Sequence, residues 1–151
     1  MILWRLTRAA YSKLDGEGAR LHGGRWNSEG VPVVYLSSNL SLAALEYLVH
    51  IDIEDAPTDL VALKVEVPDT APAEEIETET LPDDWFNVAD HPTCVELGDS
   101  WVERGDSLLL RVPSALIRVE SNVLLNPRHA DAGNVRVLSS TPFAFDPRLL
   151  G

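Results

Sequence analysis

Residues 31–51, VPVVYLSSNLSLAALEYLVHI, contain a strand and a helix in direct succession. VPVVYLS (31–37) is rich in valine and carries a tyrosine, a composition that predicts a strand. In SLAALEYLVHI (41–51) apolar residues recur at intervals of three and four, which is the spacing of an amphipathic helix. A strand that leads straight into a helix indicates a domain in which α and β structure share one core.

The predicted helix has an apolar face and two candidate caps. At 100° per residue Leu42, Leu45 and Val49 lie on one side, so we expect all three to face the core. A serine hydroxyl before the first turn can accept from a free backbone N–H, and Ser38 or Ser41 is placed to do so.

Strand-like segments recur along the rest of the chain. VALKVEV (61–67) shows the period-2 alternation of a half-buried strand. Extended segments are also expected at 2–7, at 108–113, at 121–129 before an Asn-Pro turn, and at 135–145 as a strand pair or one bent strand, with loops at 15–24 and 69–84. Five or six strands and two helices that do not alternate regularly favour an α+β domain over a doubly wound parallel fold.

HPTCVELGDSWVERG (91–105) predicts the second helix. Its spacing turns Cys94, Leu97 and Trp101 inward, and Gly105 is placed to end it. A cysteine at a core position of this kind is expected to be buried and inert rather than nucleophilic.

The chain length fits one domain, since single cores usually hold roughly 100 to 200 residues. With 151 residues and 45% hydrophobic side chains, residues 1–151 are expected to bury one core. The segment 69–84 contains seven acidic residues and no basic one, so we predict an acidic surface loop within that domain.

Charge is distributed unevenly along the chain. The first 25 residues hold five basic and two acidic side chains, whereas the remainder holds 7 basic and 22 acidic ones, and the formal net charge is -12. Because affinity for nucleic acid depends mainly on neutralising phosphates, such a surface disfavours DNA and RNA as partners. A small anion that enters a cleft lined by the N-terminal residues remains compatible.

No segment predicts secretion or membrane insertion. Apolar runs fall short of the roughly 18 residues that a membrane helix needs, and the N-terminus lacks the apolar stretch of a signal peptide. Cys94 is the only cysteine, so an internal disulfide and an all-cysteine zinc site are both excluded within one chain. We therefore expect a cytoplasmic protein.

Glu46 is the most informative position in the predicted helix. It lies four residues after Leu42 and three before Val49, which places a carboxylate on or beside the apolar face. Burying a carboxylate is unfavourable unless it is paired or hydrogen-bonded, so such residues often take part in catalysis. The alternative is a glutamate at the edge of the face that pairs with a nearby arginine.

Arg25 follows two glycines, and its planar guanidinium can bind a phosphate or carboxylate through two parallel hydrogen bonds. Gly23 and Gly24 would let backbone and ligand approach closely. The loop matches neither a Walker A sequence nor the dinucleotide fingerprint. A glycine-rich turn whose arginine pairs with a surface acid therefore stays an equal alternative.

Tyr35, Trp26 and Ser114 are weaker candidates. The two aromatic rings could stack on a planar ligand, but aromatic residues in or beside strands more often pack in the core. Ser114 follows an apolar strand, where site residues and simple turn hydroxyls both occur. No Gly-x-Ser-x-Gly elbow supports a serine hydrolase.

The four histidines are dispersed and none belongs to an H-E-x-x-H pair. We therefore expect no metal.

Five ordered motifs span nearly the whole chain. They are G-G-R-W-N at 23–27, V-V-Y-L-S at 33–37, A-L-E at 44–46 with V-H at 49–50, V-P-S-A at 112–115, and N-x-L-L-N-P-x-H at 122–129. Together they resemble the RES domain, a family named for its Arg, Glu and Ser.

This resemblance implies an ADP-ribosyltransferase-like fold, with a mixed or antiparallel β core and a few helices. It also implies a toxin of a bacterial toxin–antitoxin pair, which degrades NAD+ as its substrate by hydrolysis or phosphorolysis of the nicotinamide–ribose bond. The partner implied is an Xre-like antitoxin. The residues leave open whether the chain forms a homo-oligomer.

The resemblance also implies roles for individual residues. The family's arginine corresponds to Arg25, and the arginine of its N-terminal W-R start corresponds to Arg5. Both are expected to hold the pyrophosphate. Tyr35 is expected to pack on nicotinamide or ribose, and Ser114 to bind the nicotinamide end or orient the ligand. Glu46 is expected to stabilise the cation that forms on the ribose.

Two other functions stay open at this point. One is transfer of ADP-ribose to a macromolecule, and the other is a non-catalytic nucleotide-binding module. The attacking group could be water, phosphate or a protein side chain.

Overall fold

The computed structural model describes residues 1–87 and 90–150, and these contain seven strands and three helices. The strands are β1 (Ile2–Arg8), β2 (Val34–Ser37), β3 (Leu60–Glu66), β4 (Ala73–Glu75), β5 (Leu109–Pro113), β6 (Ser121–Leu125) and β7 (Arg136–Pro142), and the helices are α1 (Glu17–His22), α2 (Leu40–Leu48) and α3 (Pro92–Arg104). The expected single α+β domain is therefore confirmed. No helix in these ranges combines the length and the apolar character needed to cross a bilayer.

The strands form one mixed sheet in the order β4-β5-β6-β2-β1-β3-β7. Neighbouring strands are antiparallel except β4 and β5, which are parallel. β1 pairs with β3 from Ile2 to Arg8, but it meets β2 at a single pair, Trp4 with Ser37. The sheet is thus two paired halves joined at one point.

One face of the sheet is covered by helices and the other by loops. On the helix-covered face, α3 buries Cys94 and Trp101 against Leu124, and α2 buries Ala43 against Leu6. On the loop-covered face a third apolar cluster contains Leu3, Val34, Leu36, Leu63, Val65 and Val123. Because side chains alternate along a strand, Tyr35 and Ser37 of β2 lie on the helix-covered face.

The apolar face of α2 differs from the predicted one. Leu42 is buried as expected, but Leu45 is 40% exposed and Val49 is 55% exposed. The helix instead packs against β1 through Ala43 and Tyr47, which have helical spacing of their own. Periodicity could not choose between these faces, because α2 is apolar on most of its circumference.

The cap of α2 is also different from the predicted one. Asn39 precedes the helix, and its side-chain oxygen accepts from the backbone N–H of Leu42 at 2.8 Å. Ser38 and Ser41 were therefore the wrong candidates, although the mechanism of capping is the one expected.

The predicted loop at 15–24 contains the short helix α1. Asp15 accepts from the backbone N–H of Glu17 at 3.1 Å, and Glu17 pairs with Arg20 one turn later. Gly23 ends the helix with φ 69°, a conformation that favours glycine. Four glycines in ten residues concealed this helix, because two of them mark its ends.

The helix predicted at 91–105 is confirmed, and Gly105 ends it in the left-handed region with φ 66°. Cys94 and Trp101 are buried as expected, and burial raises the pKa of the Cys94 thiol. Leu97 is exposed, which contradicts the predicted inward position. Gly98 faces the core instead, because α3 lies so close to the backbone of Trp26 that a side chain would not fit.

The acidic segment 69–84 is more ordered than the expected surface loop. Residues 73–75 form the edge strand β4, and Leu81 is buried. The Nε1–H of Trp101 donates to Ser107 Oγ at 2.9 Å, and that hydroxyl donates to Glu74 Oε2 at 2.6 Å. The edge strand is thereby attached to α3 through hydrogen bonds, an arrangement that charge pattern does not reveal.

Replacing Ser107 by alanine should lower the free energy of unfolding at pH 7 by about 1–3 kcal/mol, since the buried indole N–H of Trp101 loses its acceptor. The Ser107 hydroxyl, and after it Arg104, holds the pKa of Glu74 below its ordinary 4.5. A carboxyl group whose pKa is lower in the folded than in the unfolded state stabilises the fold at every pH above its unfolded-state pKa. This stabilisation is lost as the pH falls through the folded-state pKa. Urea titrations at pH 7 and pH 3 should show a smaller acid-induced loss in Ser107→Ala than in the wild type.

Ser100→Ala is the matched control, because Ser100 is exposed on α3. Equal acid sensitivity of Ser107→Ala and the wild type would show that Ser107 does not stabilise the charged form of Glu74.

Candidate active site

The Glu46 carboxylate of α2 is held by two donors from other elements. Ser114 Oγ and Asn122 Nδ2 each donate to Glu46 Oε1 at 2.7 Å. No side chain or backbone group within residues 1–87 and 90–150 donates to Oε2. One oxygen of this half-buried carboxylate is therefore fixed by the fold, and the other is available to a ligand.

Both donors are themselves held in place. Ser37 Oγ on β2 donates to Asn122 Oδ1 at 2.7 Å. The backbone N–H groups of Leu116 and Ile117 donate to Ser114 Oγ at 3.2 and 3.1 Å. Ser114 is fully buried, and its hydroxyl proton is directed to Glu46.

Sequence reasoning singles out Glu46 and Ser114 but gives no role to Asn122 or Ser37. A signal for them was present, because each is a polar residue on the inward face of a strand. Ser37 pairs across the sheet with Asn122, so the two share one face.

The glycine turn at 23–27 is assembled around a buried asparagine. The backbone N–H of Gly24 donates to Asn27 O at 3.0 Å, and the Asn27 amide donates to three backbone carbonyls, those of residues 19, 28 and 31. Asn27 is 1% exposed. Its role is to hold the turn rigid, a role that sequence reasoning did not assign.

Tyr35 connects this turn to β2. Its hydroxyl donates to Asn27 Oδ1 at 2.6 Å and accepts from the backbone N–H of Trp26 at 3.1 Å. Burial raises the pKa of the phenol, which keeps it protonated and able to donate. A Cβ at Gly24 would lie 2.7 Å from the phenol oxygen, so this position has no room for a larger residue.

The Arg25 side chain extends from the turn to the aromatic residue Trp85. Its Nη1 donates to the carbonyl of Trp85 at 2.9 Å, and its guanidinium carbon is 5.7 Å from the centre of the Trp85 ring. The rings of Trp26 and Trp85 are 6.1 Å apart. The guanidinium is thus oriented by the residues that follow the acidic segment.

Arg118 is a second arginine beside these aromatic residues. Its guanidinium carbon lies 4.1 Å from the centre of the Phe86 ring, and the Phe86 and Trp85 rings meet edge-on at 6.0 Å. It is exposed and lies on the turn that follows Ser114. A guanidinium stacked on a ring keeps its N–H edge available to an anion, so Arg118 adds positive charge near the Ser114 end of the site.

Arg5 is placed differently from the other candidates. It pairs with Leu63 on β3, which puts its side chain on the loop-covered face, opposite Tyr35 and Ser37. Its Nη1 donates to Tyr35 O at 3.3 Å where β1 and β2 separate, and its buried Nε has no hydrogen-bond partner among the described residues. Burial lowers the pKa of this arginine.

The glycine turn and the Glu46 cluster lie on the same side of the sheet. Tyr35 contacts the turn, and Ser37, two residues further along β2, contacts Asn122. Residues two apart on a strand are separated by about 6.6 Å and point the same way. The glycine turn that carries Arg25 and the cluster around Glu46 therefore lie beside neighbouring inward-facing positions of β2.

A cavity of about 580 Å³ lies beside this region, between the glycine turn and α3. Glu46 and Arg25 are not among its lining residues, which include His22 and the five acids Glu29, Asp90, Glu96, Asp99 and Glu103. Five carboxylates make it unsuitable for a pyrophosphate. Within residues 1–87 and 90–150 no three His, Cys, Asp or Glu side chains are arranged to hold a metal ion.

Comparison with known proteins agrees with the motifs. The RES domain family matches residues 2–146. A Toxin Res of Photorhabdus laumondii subsp. laumondii is 40% identical over 154 residues, covering 99% of this chain and 97% of the relative. A Prs ADP-ribosylating toxin of a Sphingobium species is 34% identical over 153 residues, covering 97% and 95%.

A solved structure supports the fold. The crystal structure of the M. tuberculosis MbcT–MbcA toxin–antitoxin complex contains a chain that matches with a TM-score of 0.77 at 20% identity, covering 99% of this chain and 86% of that one. At that identity the likeness concerns the fold alone. Family match, sequence identity and the order of the motifs agree, and the chain belongs to the RES domain family.

Proposed function

We propose that this chain is the toxin of a toxin–antitoxin pair and consumes NAD+ by breaking the bond between nicotinamide and ribose. The observation that carries the proposal is the Glu46 carboxylate, which is fixed through Oε1 and open at Oε2. The relative named Toxin Res supports a role as a toxin, and the name of the ADP-ribosylating toxin supports chemistry at the ribose.

The reaction creates charge that this carboxylate can stabilise. Nicotinamide leaves with the electron pair of the glycosidic bond, and the ribose C1 carbon becomes cationic. A water oxygen then bonds to that carbon and one proton passes to solvent, so that NAD+ and water give ADP-ribose, nicotinamide and a proton. A fixed carboxylate beside the ribose stabilises the cation without having to reorganise.

The remaining residues position the substrate in this proposal. Arg25 provides the guanidinium for the pyrophosphate, and Tyr35 acts by holding the turn that carries it. The proposed contact of Arg5 with the pyrophosphate requires β1 and β2 to move apart, because its side chain lies on the loop-covered face and its Nε is buried. Ser114 acts on the carboxylate, because its proton is donated to Glu46 rather than offered to the ligand.

Release of free nicotinamide from NAD+ by the purified protein tests this proposal. We expect turnover without added metal, and reactions with and without phosphate identify the attacking group by their products, ADP-ribose or its 1-phosphate. NAD+ that binds but stays intact over hours would contradict the proposal and favour a nucleotide-binding module.

Transfer of ADP-ribose to a macromolecule is the second candidate, and the name of the Sphingobium relative favours it. NAD+ labelled in the adenylate moiety separates the two activities. In a cell extract, transfer would attach the label covalently to protein or nucleic acid in amounts that match the nicotinamide released. That result would identify the activity as transfer rather than hydrolysis.

The proposed partner is an Xre-like antitoxin, and the proposed place of action is the cytoplasm. The structural neighbour that is a toxin–antitoxin complex supports a protein partner. Expression of the chain should deplete cellular NAD+ and arrest growth, and co-expression of a helix-turn-helix protein encoded by the adjacent gene should restore both.

A further inference from the structure

We propose that Asn122 and Ser37 are positioning residues that act in sequence, so that Ser37 orients the Asn122 amide and the amide orients the Glu46 carboxylate. The inference rests on the proposed function only in taking Glu46 as the reacting group. It adds two residues from two strands to a site whose expected members were Arg5, Arg25, Tyr35, Glu46 and Ser114.

The donor and acceptor chemistry allows one arrangement of this amide. An ionised Glu46 can only accept, so the side of Asn122 that faces it must be the NH₂ group. Oδ1 then faces Ser37, whose hydroxyl donates to it at 2.7 Å. A reversed amide would direct its oxygen at Glu46 Oε1, so the carboxylate excludes that orientation. Ser37 then holds the amide in the orientation that remains, because its hydroxyl donates to Oδ1.

The arrangement also fixes the plane of the carboxylate. The Asn122 donor comes from β6 and the Ser114 donor from the residue after β5, yet both reach the same oxygen. Two donors that approach one oxygen from different strands prevent rotation of the group and leave Oε2 directed away from both. The open oxygen is then ready for the ribose before the substrate arrives.

The position of Ser37 supports a dedicated role. Ser37 is a buried polar residue on β2, and it pairs across the sheet with Asn122. It is also the residue at which β2 meets β1. The two residues therefore lie where the two halves of the sheet join, and Ser37 pairs with strands on both of its sides.

Three variants test the inference: Asn122→Ala, Asn122→Asp and Ser37→Ala. Asn122→Ala should reduce kcat for nicotinamide release roughly 100-fold with little change in KM, because a reacting group out of position affects the transition state most. Ser37→Ala should cause a smaller loss, roughly 10-fold, since it removes only the hydrogen bond that orients the amide. Ser121→Ala, on the opposite face of β6, is the control that should retain wild-type kinetics.

The pH–rate profile distinguishes positioning from a structural role. Asn122→Asp nearly preserves the shape of the side chain but replaces a donor by a second carboxylate beside Glu46. The acidic limb of the profile should move to higher pH, because a neighbouring negative charge disfavours ionisation. An unchanged limb and an unchanged kcat in Asn122→Asp would overturn the inference, even if the variant melts at a lower temperature.

A measurement that does not depend on turnover separates this inference from the proposed function. In ¹⁵N-resolved NMR spectra the side-chain NH₂ signals of Asn122 should shift as Glu46 is protonated, and this titration should vanish in Glu46→Gln. Ser37→Ala should weaken it. If the Asn122 NH₂ signals do not change when Glu46 is protonated, the inference is overturned whether or not the protein cleaves NAD+. If the signals do change but the protein releases no nicotinamide, only the proposed function is refuted.

Discussion

Glu46→Gln is expected to reduce nicotinamide release by about 100- to 1000-fold while the protein stays folded. Glutamine has nearly the same shape and keeps a side-chain oxygen that can accept from Ser114 and Asn122. It lacks the negative charge, however, and the open position would hold an NH₂ group that cannot stabilise a cation. The loss should therefore appear in kcat more than in KM.

Chromatographic measurement of nicotinamide, together with the melting temperature of each protein, checks this expectation. Glu96→Gln is the matched control, because it makes the same chemical change at an exposed position that lines the acidic cavity beside α3. Wild-type turnover by a folded Glu46→Gln protein would remove the proposed role of the carboxylate.

Gly98→Ala is expected to have the largest effect on stability. A Cβ at this position would lie 1.7 Å from the carbonyl oxygen of Trp26 and 2.7 Å from its carbonyl carbon. Both are backbone atoms, so α3 or the glycine turn must move. Overpacking of this severity should cost about 3 kcal/mol or more, which outweighs the gain of about 1 kcal/mol that alanine brings to a helix.

Thermal unfolding measures this loss, and a fall in melting temperature of roughly 6–12 °C corresponds to it for a chain of this size. Gly18→Ala is the control, since Gly18 lies in α1 and a Cβ there meets nothing within 4 Å. That variant should match or slightly exceed the wild type. A Gly98→Ala protein as stable as Gly18→Ala would show that α3 can move away from the turn without loss.

This prediction also links packing to function. Trp26 directly follows Arg25, and its backbone N–H is bound by the Tyr35 hydroxyl. A turn displaced by the methyl group that Gly98→Ala adds would carry Arg25 away from the carbonyl of Trp85. We therefore expect the Gly98→Ala protein that remains folded to show a raised KM for NAD+.

The sequence was most informative where a residue's neighbours along the chain decide its structure. The strand at 61–67 and the helix ended by Gly105 both follow from local spacing and from the conformation that glycine allows. The sequence was least informative where two packing arrangements of the same element satisfy the same pattern. The apolar face of α2 is such a case, since either Leu45 with Val49 or Ala43 with Tyr47 satisfies helical spacing.

The acidic segment shows a second limit. Its charge predicted a solvated loop, but three of its residues form β4, and Glu74 is bound by Ser107 from another part of the chain. A strand at a sheet edge depends on a partner that is distant in sequence. Composition cannot supply that partner, so the segment could not be assigned from its own residues.

The order of strand and helix and the glycine turn before an arginine were determined by the sequence by itself, because backbone preference acts over a few residues. The partners of the Glu46 carboxylate were decided by the tertiary structure alone. Ser37 and Asn122 are 85 positions apart along the chain, and with Ser114 they meet at Glu46 only after β5, β6 and β2 have paired. Hydrogen bonds of this kind have a range of about 3 Å, so no pattern along the chain can specify them before the sheet forms.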